Sequence, residues 1–381
     1  MITMAQCDNI VRNCPNFYFV EKEHQGVKFK IYSYRFADYK DFKYNKTARE
    51  LRGLAFNLET GEPIWSIHKF FNINENEDNL LEDVLDKDIN VYEKADGSLI
   101  TAFFYKAQLF VKSKTSFDTM QANNAKDFIL RNDNYFDFIL RMQIDFNLQC
   151  FFEYVGPINQ IVLNYDRENL ILTQVRDRKT GEYIDLEKVK VIANKYGIET
   201  AKTYKISKEE LLNVLNWKDV EGVVIQETNN PYNKWKLKTN WYLERHNLIG
   251  DSGTLPIHKI IKLIIDNKID DVLSLLTPVS MKYTIIAEIQ YLLQEYYNIT
   301  LEDMEQILNK SKEMTRKEFA IIFKNHTLFS ILIKNFGKDF TKEDLQDGLN
   351  QYVLKKTNKL QQAVSFLESI KKLNLTCLYY S

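Results

Sequence analysis

The 381-residue chain holds only four cysteines, Cys7, Cys14, Cys150 and Cys377, and five histidines. The cysteines show no paired metal-ligand spacing and the histidines are scattered, which argues against a zinc module or a disulfide framework and suits a reducing compartment. Lysine and arginine number 51 against 52 aspartates and glutamates, a formal net charge of -1. The net field therefore attracts no polyanion, and any hold on nucleic acid must come from lysines gathered on one face. No apolar run has membrane-spanning length and the amino terminus is not signal-like, so a cytoplasmic protein without a membrane partner is expected. A GxxxxGK[ST] phosphate loop, an internal repeat and a low-complexity tract are also missing. What is present, 45% hydrophobic and 13% aromatic residues, is ample for buried cores.

Two textures follow one another along the chain. From Asn16 to about Gly250, runs rich in Val, Ile, Tyr and Phe alternate with Asp, Asn and Gly turns, as in "KFKIYSY", "SLITAFFY", "AQLFVKSK", "CFFEYVG", "ENLILTQV" and "EGVVIQE". These read as strands. The segment "SKEELLNVL", opened by the capping pattern Ser207 to Glu210, reads as a helix among them, which makes this half α+β. A glycine, serine and proline stretch, "LIGDSGTLP", reads as a linker. Beyond it Ile257, Ile260, Ile261, Ile264 and Ile265 fall on one helix face. Capping patterns at Thr300 to Asp303 and at Thr315 to Glu318 predict further helix starts. The expected division is an α+β domain over residues 1–250 and an all-α domain over 255–381.

Between two of the strands, "VYEKADGSLITAFF" sets Lys94, Asp96, Gly97 and Ser98 close together. A turn with an incidental lysine is one reading; a nucleophile is the other. A lysine amine titrates near ~10.4, so at neutral pH about 0.1% or less is the attacking free base. A nucleophilic lysine needs nearby cations or a metal to disfavour its ammonium form. In "KWKLKT", Lys234, Lys236 and Lys238 alternate with Trp235 and Leu237, so a strand would turn three ammoniums to one face. A solvated edge strand guarded by lysines shows the same alternation. Its position after "EGVVIQETNNPYN" makes a hairpin with Glu221 that carries both signs of charge and suits a metal-bound triphosphate. Glu153 and Glu221 stand inside apolar strands, where unpartnered carboxylates would cost several kcal/mol, so both need partners. Gly97, without a Cβ, lets the backbone approach phosphate or ribose closely, or is a plain turn glycine.

Taken in order, "KADGS" with Lys94, "FFEYVGP" with Glu153, "EGVV" with Glu221 and "KWKLKT" with Lys236 and Lys238 resemble motifs I, III, IV and V of the covalent nucleotidyltransferases. "ARELRGLAF" around Arg52, "HKFFNINEN" around Lys69, "KSKTSF" around Lys114, "NQIVLNY" and "NWYLERH" are similar to the RNA ligase 1 family of T-even bacteriophage type. The resemblance implies an ATP-grasp-like nucleotidyltransferase domain of antiparallel sheets with flanking helices, followed by the all-α domain. It implies an ATP-dependent RNA ligase, active in tRNA or RNA repair, that joins 5′-phosphate and 3′-hydroxyl ends through lysyl-AMP and adenylylated RNA. Lys94 is then the nucleophile. Tyr34, Arg52, Lys69, Phe71, Gly97, Lys114, Glu153, Glu221, Gly222, Lys236 and Lys238 surround the nucleotide. Glu153, Glu221 and Asp270 are contacts for Mg²⁺, with Mn²⁺ as an alternative.

Some of these residues have plainer readings: Tyr34 and Phe71 as core aromatics, Arg52 and Lys69 as surface ion pairs, and Asp270 with Asp271 as a solvated helix face. Lys114 reaches the pocket provided the strands on either side of Lys106 pair. The aliphatic "ENLILTQV" departs from the superfamily's purine-stacking aromatic, so apolar contacts and backbone hydrogen bonds are expected to hold adenine. No β-rich segment follows motif V, which separates the chain from DNA ligases and capping enzymes. The tail lysines Lys355, Lys356, Lys359, Lys371 and Lys372 read as solvated surface or as a grip on the body of a nicked tRNA. A kinase or phosphatase that heals RNA ends would be a separate chain, and the ligase a monomer, in the host cytoplasm if the source is viral. A non-catalytic RNA-binding protein that keeps the ligase-like fold is the competing class. It would have no need to retain Lys94, Glu153, Glu221, Lys236 and Lys238 together.

Overall fold

The computed structural model describes residues 2–43, 45–159, 161–245, 256–273 and 281–379. The chain divides into two units, Met1–Gly253 with Asp270–Leu275, and Thr254–Ile269 with Leu276–Ser381. Most of the expected linker, residues 248–255, lies outside the described residues, as do the side chains of Asp271 and Lys372. Among the described residues no helix is long and apolar enough to cross a membrane.

In the first unit β1 (Phe17–His24), β2 (Val27–Tyr34), β3 (Ala55–Asn57) and β4 (Pro63–Ile64) form an antiparallel sheet in that order. Then come β5 (Phe71–Asn72), β6 (Ile89–Glu93), β7 (Ser98–Tyr105), β8 (Gln108–Lys112) and β9 (Leu148–Val155). β10 (Asn169–Asp177), β11 (Tyr183–Ile184), β12 (Thr203–Tyr204), β13 (Gly222–Glu227) and β14 (Lys234–Lys238) complete the set. They build two five-stranded sheets, ordered β11-β10-β9-β7-β8 and β12-β6-β13-β14-β5, with β14 and β5 parallel and the other pairs antiparallel.

The first of these sheets is covered by helices Met120–Arg131, Asp133–Ile144 and Leu186–Lys195. Ala125, Ile129, Phe138, Met142 and Val189 lie at helical spacing and bury against Ile100, Phe152, Leu170 and Leu172 of the sheet. The second packs Val91, Val223, Ile225, Trp235 and Leu237 against Val84, Leu211 and Val214. The Ser207 capping box is formed. β1 and β2 join through Gln25 and Gly26, and β7 and β8 through Lys106 and Ala107, all four with positive φ. A two-residue hairpin needs that backbone to match strand twist.

One alternative reading and one expectation change. Lys234–Lys238 is not an edge strand but lies between β13 and β5, because Phe71 and Asn72 pair with Trp235 and Lys236 along its other side. Thr300 does not start a helix; it lies within Met281–Lys310. Ile286, Ile289, Leu293, Tyr297, Leu301, Met304 and Leu308 are buried along that helix on both sides of Thr300. Continuous burial of one face outweighs the local capping preference. The second unit is helical throughout its described residues, with Ile260, Ile261, Ile264 and Ile265 buried as their spacing predicts. Thr315 does cap its helix, as Thr341 caps the helix Lys342–Lys356. Among the tail lysines, Lys355, Lys356 and Lys359 are exposed, and Lys371 pairs with Glu288 at 3.0 Å.

Candidate active site

Lys94 sits where the chain leaves one five-stranded sheet for the other. Glu93 of β6 pairs with Val223, whereas Ser98 of β7 pairs with Tyr154. KADG is thus a crossover between the two sheets. The Lys94 N–H donates to the Gly222 carbonyl at 3.0 Å and ties the crossover to the start of β13. Gly97 has a specific neighbour. A Cβ there would lie 2.3 Å from the Tyr154 carbonyl oxygen, so the close approach is to β9. Gly222, at φ +152, leaves no room either, since a Cβ would meet the Leu237 carbonyl oxygen at 2.1 Å.

Glu221, buried just before β13, accepts two lysines. Its Oε2 is 2.8 Å from Lys94 Nζ and its Oε1 is 3.0 Å from Lys238 Nζ. Burial opposes its ionisation, but the Lys94 and Lys238 ammoniums overcome that and hold the carboxyl below the usual range. Cations are the neighbours the sequence predicts for the nucleophile. The charged group in contact with its amine is instead a carboxylate, and Lys238 reaches the pair across it. A buried carboxylate keeps its charge only with such partners.

A second ion cluster lies further along β14. Asp270 Oδ2 is 2.9 Å from Lys69 Nζ and 3.7 Å from Lys236 Nζ, and Glu75 is 3.6 Å from Lys69. Burial disfavours the charged form of both Lys69 and Asp270; the pairing wins, holding the amine above and the carboxyl below their ordinary values. The solvated-face reading of Asp270 is therefore overturned. Phe71 lies under Lys69, with its ring 4.9 Å from Nζ, and Tyr34 lies 5.0 Å from Lys114 Nζ, so both aromatics carry cations as well as filling core. β7 and β8 pair as required for Lys114 to reach this region. Burial, with Arg52 and Lys69 nearby, brings the Lys114 amine down to about 7. Arg52 donates to the Ile67 carbonyl at 3.2 Å.

Lys234 shares a face with Lys236 and Lys238 but does not join them. Its Nζ lies 3.1 Å from the centre of the Tyr183 ring and donates to the Pro231 carbonyl.

Sequence reasoning assigns no role to Asp96, although it is the acid of KADG. Buried, it accepts hydrogen bonds from Val162 N, Leu163 N and Tyr242 Oη at 2.8, 2.7 and 2.7 Å. Motif I, the loop after motif III and the helix after motif V are held together by one carboxylate. Glu75, also missed, accepts from the Asn72 N–H at 2.7 Å and sets the turn after Lys69. The motifs point to both segments; the partners that define these roles are remote in sequence.

The Glu153 carboxyl makes no hydrogen bond or ion pair with the described residues. Burial pushes it up to about 7, Lys94 pulls the other way and Glu221 adds to the rise. A carboxyl raised on folding contributes stability below its unfolded value, about 4.3, and loses that contribution as pH climbs through 7. Glu153→Gln is therefore expected to gain melting temperature relative to the parent as pH goes from 5 to 8. Thermal melts that differ by the same amount at both ends would contradict the burial account.

Among the described residues no three His, Cys, Asp or Glu side chains converge as a metal cage. Glu221 and Asp270 are committed to lysines, whereas Glu153 has its oxygens unengaged. That arrangement fits a divalent ion such as Mg²⁺, which keeps several waters and takes one or two carboxylates beside substrate phosphates.

The segment that carries these residues is similar to known proteins. The family model described as RNA ligase matches residues 50–242. A protein of Thermovibrio ammonificans, provisionally named an RNA ligase, is 29% identical over 311 residues, 80% of each chain. Among solved structures, an RNA ligase of Naegleria gruberi, as an apo point mutant, is similar at TM-score 0.39 and 16% identity, over 47% of this chain and 57% of that one. Another point mutant of the same ligase, with ATP and Mn, is similar at TM-score 0.37 and 18% identity, over 44% and 53%. The match thus spans little more than half the length of that solved ligase.

Proposed function

Because this chain belongs to the RNA ligase family, we propose that it is an ATP-dependent RNA ligase that works through a lysyl-AMP on Lys94. The observation that carries the reading is the charge arrangement at the sheet crossover. A lysine amine stands at 2.8 Å from a buried carboxylate, and a row of lysines leads away from it along β14.

Lys94 Nζ attacks the α-phosphorus of ATP, forming a P–N bond as the bond to pyrophosphate breaks. Glu221 holds the amine in place, and Lys238 shares that carboxylate and stands where the α-phosphate arrives. Lys69, Lys236 and Arg52 form the cationic side suited to the departing pyrophosphate, with Asp270 balancing them before nucleotide binds. A divalent ion, held through water by Glu153, would neutralise phosphate charge. The RNA 5′-phosphate then displaces Lys94, and a 3′-hydroxyl displaces AMP to seal the strand.

Retention of Lys94 and Glu221 as a paired unit favours this over a non-catalytic RNA-binding protein. The test is incubation of the purified chain with α-labelled ATP and Mg²⁺. Label should survive denaturation on the protein and pass to AMP-capped RNA, then leave as free AMP when the strand is sealed. A protein that stays unlabelled would leave the binding-module reading. The exposed Lys355, Lys356 and Lys359 are proposed to favour a nicked tRNA-like stem-loop over an unstructured strand. That preference should shrink as salt rises, and one independent of salt would remove this role.

A further inference from the structure

A cavity of about 680 Å³ opens in the first unit, bordered by Thr47, Glu50, Trp65, Tyr183, Asn230 and Tyr232 among others, and it shares no lining residue with the lysine site. From this cavity and the row of lysines that leads to it, we infer that it receives a nucleoside near the 5′ end of the phosphorylated donor strand. The inference rests on the ligase reading above.

The chemistry sets the direction. Attacking and leaving groups lie in line across a transferred phosphorus. Lys94 attacks from one side and pyrophosphate leaves on the other. The RNA 5′-phosphate that next displaces the lysine must enter from the side pyrophosphate vacated; its oxygen forms the new P–O bond as the P–N bond breaks, and the amine keeps the electron pair.

β14 shows where that side leads, its last lysine, Lys234, being buried behind the cavity wall and marking the direction without touching the donor strand. Lys238 meets Glu221 beside Lys94, Lys236 meets Asp270 and Lys234 meets Tyr183 at the cavity wall. Lys238 to Lys234 spans about 13 Å at ~3.3 Å per residue. A second path agrees. Lys69 points to Asp270, while its neighbour His68 stacks on Tyr232, with ring centres 3.9 Å apart and planes 8° from parallel. Tyr232 borders the cavity and His68 does not, so the aromatic pair ends on it.

The lining suits a nucleoside. The half-buried Tyr232 offers a ring for stacking, which tolerates any base, whereas Trp65 is buried and Tyr183 carries Lys234 and Arg176 over its ring, so those two form the wall. Asn229 and Asn230 are exposed at the mouth, with amides that donate and accept. On the floor Glu50 is neutralised by Arg176 through two contacts of 2.8 Å, and the remaining lining carboxylate, Glu182, is exposed to solvent, which screens it. Lys46 is exposed at the rim for a backbone phosphate.

The experiment uses full-length protein charged with labelled AMP and follows single-turnover transfer to a 5′-phosphorylated hexaribonucleotide. Tyr232→Ala and Asn230→Ala should form lysyl-AMP at the parent rate but need tenfold or more donor for half-maximal transfer, with Tyr232→Phe close to the parent. A donor carrying 4-thiouridine near its 5′ end should crosslink to the 229–232 turn. The inference is overturned by an unchanged donor requirement in both Ala variants with lysyl-AMP intact, or by a defect confined to the 3′-hydroxyl strand. Asn230→Ala, at an exposed turn, keeps the test open should Tyr232→Ala fold poorly. Absence of lysyl-AMP in the parent protein would instead strike the ligase reading itself.

Discussion

Lys94→Ala is expected to abolish covalent AMP on the protein while leaving the fold intact. The side chain is partly exposed and supplies an amine, not packing. Its loss does leave the Glu221 carboxylate with Lys238 alone, so some stability change is expected, although the remaining pair at 3.0 Å keeps the charge from being orphaned. Supplied with RNA already carrying 5′-AMP, the variant should still seal to a 3′-hydroxyl, at least in part, because that last displacement asks nothing of the lysine as attacker. Denaturing gels of the labelled protein and of the sealed product read the two outcomes separately. Residual label on the Ala variant would move the nucleophile elsewhere, and loss of both activities in a misfolded protein would show Lys94 to be structural.

Replacing Lys236 or Lys238 by Ala should slow lysyl-AMP formation by about 10²–10³-fold, the usual cost of removing one preorganised donor from a charged transition state. The two act at different carboxylates. Lys238 shares Glu221 with Lys94, and Lys236 lies 3.7 Å from Asp270. Arg at either site should recover only part of the rate, since it keeps the charge but brings a wider planar group into a buried pocket. Single-turnover labelling measures each variant. A rate within threefold of the parent would place that lysine outside the phosphate path.

Much of this was legible in the chain. The order of KADGS, FFEYVGP, EGVV and KWKLKT located the candidate nucleophile, two carboxylates and two lysines through its resemblance to a known superfamily, while strand alternation and a handful of charged side chains among apolar ones, which are local properties, marked Glu153 and Glu221 as needing partners. What each charge touches was not legible. Asp270 had the local pattern of a solvated helix face and turned out to hold Lys69, 201 positions away. Asp96 gathers Val162, Leu163 and Tyr242, and nothing near it in sequence announces them. The β7–β8 turn at Lys106 and Ala107 lacks the glycine or asparagine that usually marks positive φ, and Thr300 carried a capping pattern inside a continuous helix.

Composition, periodicity and motif order thus settled the secondary-structure class, the helical tail and the chemical types at the site, since those depend on neighbours within a few residues. Only the tertiary structure decided that KADG crosses between two sheets, that the Lys94 amine faces Glu221, that Lys236 and Lys234 part company, and that a cavity lies at the end of their row. Each of those depends on which buried charge finds which partner once sheets pack. A carboxylate or ammonium taken from water is tolerated only where the fold brings its counter-charge to it.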